Sequence, residues 1–436
     1  MKNLISRIAT VDEGRTALAR VLSRGRDQEA GQVRARVSEI IASVRENGDR
    51  ALLSWARTLD GFSGEASDVE LDGSLAEKAW QGLDPSVREA LLFARDRVTA
   101  YHRRLRDGLR DFPPSREMAG LRWTPVDRAG VYVPGGTALY PSTVLMTVPV
   151  ARVAGVREIV VITPGGPDGI APVVLAACHV AGVDRIFQVG GVHAIAALAF
   201  GTETLPAVDQ IVGPGNRYVA EAKRQLFGTI AIDMIAGPTE VLIVADASTD
   251  PAFVAADLLA QAEHDHQASA VLLTDSEHLA QRVAAELSSQ LETLPRREIA
   301  SQSLASFGAI LLLPSLDLAP GLVDLLAPEH LELAVANPGD LAARIRNAGA
   351  IFMGSGVPEA AGDYCFGPSH VLPTNGTARF SSPVSVETFM KRTSLIGGTG
   401  FDDRDRILEV SEILARAEGL EGHARSAALR RTGSRP

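Results

Sequence analysis

Residues 256–268, ADLLAQAEHDHQA, place Asp257, Gln261 and His264 at i, i+4 and i+7, a spacing that lines one face of an α-helix. Beside an apolar LLA, such a stripe is either wet surface or an amide oxygen and an imidazole aimed at one ion or ligand. Gln is an uncommon metal ligand, so the pair alone leaves both readings open. Farther along, LLAPEHLEL (325–333) sets Glu329 beside His330 in a turn ahead of a strand expected from Leu331. A carboxylate and an imidazole can both move protons near neutral pH. Adjacent side chains point apart, so the two serve one ligand only if the turn bends suitably. The stretch PEAAGDYCFGPSHVLPT (358–374) has no periodicity and holds Asp363, Ser369 and His370. It is long for a connector and fits a binding loop or a plain Ω-loop. In AEGLEGHARS (417–426), Glu418 and His423 do not share a face of a regular helix. A kink at Gly419 or Gly422, or a large ligand, is needed to bring them together.

These groups need a scaffold, and the middle of the chain supplies one. Short β-branched runs at 130–133, 158–163, 185–189 and 209–213 are followed by the glycine turns PGG (134–136), PGG (164–166), GG (190–191) and PGN (214–216). Helix-like stretches at 171–183 and 193–200 lie between them. Strand, glycine turn, helix and strand in succession predict a parallel sheet with helices on its faces. A second series has strands expected at 240–246, 270–276, 309–315, 331–335 and 350–354. The turns suit tight packing or a bound phosphate, and no G-x-G-x-x-G decides between them. Residues 33–62 and 84–107 read as helices, with a stop at Asn47-Gly48 and an N-cap at Asp84 before Pro85. After 385 the chain reads as helical again, set off by GGTG (397–400) and ending in a frayed TGSRP.

The 436 residues imply more than one domain. With 46% apolar and 22% charged residues the chain is globular rather than disordered. A net charge of −10 lacks the basic footprint of a nucleic-acid binder, so a small-molecule partner is expected. Cys178 and Cys365 form no C-x-x-C or zinc-finger spacing. The amino terminus lacks a signal-peptide core, and no apolar run approaches the roughly 18 residues of a membrane span. A cytoplasmic location is expected.

Taken together, the chain resembles histidinol dehydrogenases from about residue 30 to 430. The likeness rests on collinear blocks: GVYVPGG, YPSTVLM, GGVHAIAALAFGTE, IVGPGN, IDMIAGPTEVLI, DLLAQAEHD, APEHLEL, NAGAIF, GDY, HVLPT and EGLEGHA. The resemblance implies NAD-linked, four-electron oxidation of L-histidinol to L-histidine, with one zinc per subunit. Its zinc ligands fall on Gln261, His264, Asp363 and His423, and its acid–base pair on Glu329 and His330. Substrate-side positions are Thr239, His370 and Glu418 together with Gln261, His264, His330, Asp363 and His423. NAD contacts fall on Tyr132, His193 and Asn216. The family commonly has Gln where His193 stands, Ser at Thr239 and Asn at Ser369. The implied architecture is α/β: two incomplete Rossmann-like domains with small helical N- and C-terminal segments. The expected boundaries are an N-terminal helical segment 1–28; a first α/β domain from 29–129 and 240–384, with the metal and acid–base residues; a second, NAD-side domain 130–239; and a helical arm 385–436 that docks on the partner of a homodimer and completes its site.

Overall fold

The computed structural model describes residues 4–24, 30–116, 118–135, 139–166, 169–397 and 402–432. Most of GGTG (397–400), TGSRP beyond Thr432, Gly136 of the first PGG turn, and residues 1–3 and 25–28 of the N-terminal segment lie outside the described residues. In chain order the strands are β1 (Ile5–Arg7), β2 (Glu70–Leu71), β3 (Gly120–Pro125), β4 (Arg128–Tyr132), β5 (Glu158–Ile162), β6 (Arg185–Phe187), β7 (Gln210–Val212), β8 (Ala231–Ile232), β9 (Glu240–Ala245), β10 (Ser269–Thr274), β11 (Gly308–Leu312), β12 (His330–Ala334), β13 (Ala350–Met353) and β14 (Met390–Leu395). Two compact units form, one from residues 1–106 and 126–389, the other from 107–125 and 390–436.

The larger unit holds both α/β sheets. One has the order β1-β11-β10-β9-β12-β13, all parallel. The other has the order β2-β6-β5-β4-β7-β8, parallel except for β2. Every residue of β9, β10 and β12 is buried, as strands covered by helices on both faces must be. The apolar runs read from the sequence therefore sit where expected.

Two expected boundaries change. The face formed by Val33, Val37, Ile40 and Val44 on the helix Ala30–Leu59 packs with Val160, Ile162, Phe187, Ile195 and Leu198. Each such side chain buried contributes roughly 1.5–3 kcal/mol. Strand β2 also pairs with β6. Residues 30–71 thus belong with the 130–239 sheet, not with 240–384 as expected. The N-terminal segment is not only helical: β1 pairs with β11 at the edge of the first sheet, ahead of the helices Val11–Ala17 and Ala19–Leu22.

In the smaller unit, β14 pairs antiparallel with β3, so the expected helical arm contains a strand. The helices Arg404–Ala417 and Glu421–Thr432 follow. Between them, Gly419 takes φ 76°. The Leu420 and Gly419 amides donate to the carbonyls of Ala415 and Arg416, a Schellman closure that needs a left-handed residue there.

Candidate active site

The proton-moving and ligand-type residues of the larger unit gather at the amino ends of β9 and β12, which pair with His330 opposite Val241. The helix Pro251–Ala262 leaves the far end of β9 and returns antiparallel to it, which brings its last turn to the same edge. Gln261 is there and fully buried. His264 lies two residues beyond the helix, where its amide donates to the Gln261 carbonyl (3.2 Å). The single helical face expected for Asp257, Gln261 and His264 therefore ends at Gln261, and a turn carries His264 onward.

Within β12 the side chains alternate. Leu331 and Leu333 enter the core on one side, and His330 and Glu332 face the other way. The stretch expected as an aperiodic loop contains a short helix, Glu359–Tyr364. Its positions i and i+4 are Glu359 and Asp363, on one face. Gly362 permits its approach, because a side chain there would strike the ring of Phe352 at 2.5 Å.

His330 is the hub. Its Nδ1 donates to the Glu240 carbonyl (3.1 Å), so the lone pair of the neutral ring lies on Nε2. That atom is buried without a hydrogen-bond partner and faces Asp363 Oδ1 at 3.5 Å. Glu359 Oε1 and Glu329 Oε2 stand 3.6 Å and 3.8 Å from Nδ1. Glu329 is fixed through Oε2 by the Thr239 hydroxyl (2.5 Å) and the Glu240 amide (3.0 Å). Glu240 itself pairs with Arg24 at 2.6 Å, out of solvent. The turn thus bends enough for Glu329 and His330 to share one neighbourhood.

Burial pushes the carboxyls of Glu329 and Glu359 up to about 7 and about 8. For His330 burial works against the proton, but Glu359, Glu329 and Asp363 outweigh it and hold the imidazole well above its ordinary value. Burial also raises Asp363, yet the close approach of His330 and the charges of His330, His370 and His264 bring it below the usual range. Burial lowers His370. His370 Nδ1 donates to the Asp363 carbonyl (3.0 Å). Ser369 is buried, and its hydroxyl donates to the Met146 carbonyl (2.8 Å).

The donors fit a divalent cation. His330, Glu359 and Asp363 each place a ligand atom within 4.8 Å of the others. The Gln261 amide borders the same carboxylate. In one orientation Oε1 accepts from the Glu240 amide (2.7 Å), lies 2.5 Å from Thr239 Oγ1, and leaves the NH2 to donate to Glu359. In the other orientation Oε1 meets the Glu359 carboxylate, acceptor against acceptor, a contact that only a proton or a cation relieves. Among the described His, Cys, Asp and Glu side chains, His330, Glu359 and Asp363 form such a cluster; the expected ligands were Gln261, His264, Asp363 and His423. Asp363 is common to both, and Gln261 and His264 border the cluster through Glu359 and the Asp363 charge. Glu359 escaped the sequence reading because a lone Glu opening an aperiodic stretch carries no signal of burial.

The second sheet has its own site geometry. From β4, successive strands β5 and β6 lie on one side, whereas β7 lies on the other. Ligands of open α/β sheets bind at such a switch point, outside the carboxyl ends of the strands. Tyr132 ends β4, and after β7 comes Gly213 at φ 114°, where a side chain would meet the Tyr132 carbonyl at 2.2 Å. Lys223 Nζ donates to the Gly213 carbonyl (2.9 Å), Asp233 accepts from its amide (2.8 Å), and the two side chains form a buried ion pair. Asn216 caps the helix Arg217–Leu226 by accepting from Tyr218 and Val219. Tyr132 is buried, which pushes its phenol up to about 12. His193 is fully buried and bonded to Asp60. Glu418 and His423 lie in the smaller unit, at the join of its two helices and exposed.

The family model for histidinol dehydrogenase matches residues 23–431. This chain belongs to the histidinol dehydrogenase family. The resemblance drawn from the collinear blocks is borne out, and the chain is an oxidoreductase. A histidinol dehydrogenase of Rhodospirillum rubrum is 50% identical over 412 residues, 94% of each chain. One from Synechococcus sp. is 46% identical over 432 residues, 99% of each. The crystal structure of histidinol dehydrogenase from Elizabethkingia anophelis matches with a TM-score of 0.90 at 33% identity, over 98% of this chain and 97% of that one. The family's architecture, parallel sheets flanked by helices, is the one described above.

Proposed function

We propose that the protein oxidises L-histidinol through the aldehyde to L-histidine with two NAD, as a cytoplasmic enzyme of histidine biosynthesis. A zinc ion is held by Gln261, His264 and Asp363 with His423 from a second copy of the chain, and the active form is a homodimer. When bound, the cation orients the imidazole and amine of histidinol, and NAD takes up the two electrons released at each step.

Once a cation offsets the carboxylates that raise it, the His330 imidazole would receive the alcohol proton at Nε2, the nitrogen left free by the anchor of Nδ1 on Glu240. Glu329, with its carboxyl near neutrality, takes a proton from the water that adds to the aldehyde. Thr239 positions Glu329, and His370 holds the substrate side of the Asp363 turn. Glu418 offers a carboxylate to the substrate amine. Tyr132, His193 and Asn216 belong to the NAD side, at the switch point of the second sheet. Support for the docked arm comes from Ile413, Leu414, Leu420 and Leu429, which expose apolar side chains. Among the described residues no helix is long and apolar enough to cross a membrane.

The observation that carries this reading is the buried, unpartnered His330 Nε2 facing Asp363, with Glu329 beside the same ring. The test is to supply limiting histidinol with excess NAD and follow absorbance of NADH to completion. Two NADH per histidinol are expected. One, or none, overturns the reading.

A further inference from the structure

The Gly190–Gly191 turn opens the helix Gly191–Phe200, and by sequence it is a place for a phosphate. Its amides are already engaged. Asp60, just past the helix Ala30–Leu59, accepts from the Gly190 amide (3.0 Å) and from His193 Nε2 (3.1 Å), both through Oδ2. The Gly191 amide bonds to the Tyr132 hydroxyl. A carboxylate therefore stands where an anion would dock, and it repels a second negative charge.

The turn nevertheless keeps unused acceptors. With Nε2–H given to Asp60, the lone pair of a neutral His193 ring lies on Nδ1. This atom is buried with no partner, in a side chain that is 0% exposed. It lies 3.6 Å from the position a side chain on Gly191 would occupy, so glycine leaves that corner clear. Asp60 and Gly191 are partly exposed, and Asp60 Oδ1 has no hydrogen-bond partner among the described residues. Acceptors and a negative charge at this corner suit sugar hydroxyls and work against a phosphate ester.

Building on the NAD reading above, we propose that Asp60, held in place by His193, selects NAD over NADP by accepting a hydroxyl of the adenosine ribose and repelling a 2′-phosphate. His193 is then a positioning residue, and the carboxylate of Asp60 is the selective group.

The test compares kcat/KM for NAD and NADP at saturating histidinol in the full-length protein and its variants. Asp60→Asn keeps the shape and the acceptor for Gly190 but loses the charge. Its NAD-to-NADP preference should fall about tenfold or more, the scale of one like-charge contact near a protein surface. His193→Gln can still donate to Asp60 and should keep the preference, whereas His193→Phe should loosen it. Should Asp60→Asn fail to fold, inhibition of the unaltered protein decides: adenosine 2′-phosphate should compete with NAD about tenfold more weakly than adenosine. A wild-type protein that reduces neither cofactor fails the NAD reading itself. A wild-type protein that reduces NAD, with Asp60→Asn leaving the ratio unchanged or adenosine 2′-phosphate competing as well as adenosine, overturns this proposal alone.

Discussion

Asp257→Asn should stabilise the protein at pH 8 and about half as much at pH 5. Asp257 sits on the helix Pro251–Ala262 and bonds to Glu332, which also accepts from the Glu359 amide (3.1 Å). Burial raises both carboxyls, Asp257 from 3.8 to about 6. The folded state therefore holds the proton more tightly than the unfolded chain does. The associated stability is fully present below about pH 3.8 and is lost as pH rises through about 6. At about 1.4 kcal/mol per pH unit, the shift corresponds to at most about 3 kcal/mol. Asp257 is partly exposed and its proton is shared with Glu332, so about 1–2 kcal/mol is the expected effect. The Asn amide still donates to Glu332 and removes one of the two charges. Thermal unfolding of wild type and variant at pH 5 and pH 8 measures it, with a rise of about 2–5 °C expected at pH 8 and about half that at pH 5. A loss of stability at pH 8, or an equal shift at both pH values, refutes the reasoning.

Glu329→Gln should slow oxidation of histidinaldehyde by about 100-fold or more and slow the alcohol step less; separate assays on the two substrates check this, and equal losses contradict the role given to Glu329. Lys223→Met leaves the buried Asp233 charge without its counter-ion and the Gly213 carbonyl without its donor, so stability should fall by about 3–5 kcal/mol. Its KM for NAD should rise while that for histidinol holds. Urea unfolding and steady-state kinetics test the pair, and wild-type values in both count against a clamp on the Gly213 turn.

The strands were legible because burial on both faces demands unbroken apolar runs, as in EVLIVA at β9 and SAVLLT at β10. Glu329 and His330 were legible because two proton-moving groups interrupt such a run. What the pattern could not say is which sheet a helix covers. Val33, Val37, Ile40 and Val44 form an apolar face that suits either sheet, and only tertiary packing puts it on the second. Buried acids were hidden for a related reason. Glu240, Glu332 and Glu359 look like surface charge until Arg24, Asp257 and His330 are seen opposite them. Likewise, Asp60 ends a helix more than a hundred residues from His193, and no local spacing links the two.

The central claim is that a single cation joins Asp363 of one chain to His423 of another. Activity of mixed dimers tests it most directly. Asp363→Ala and His423→Ala chains, each inactive alone, are denatured together, refolded with zinc and assayed for NADH production from histidinol. A heterodimer then contains one intact site, formed by Asp363 of the His423→Ala chain and His423 of the Asp363→Ala chain. Random pairing under two-fold symmetry predicts recovery of about a quarter of wild-type activity. No recovery on mixing, with the wild type refolding to full activity in parallel, contradicts the shared site.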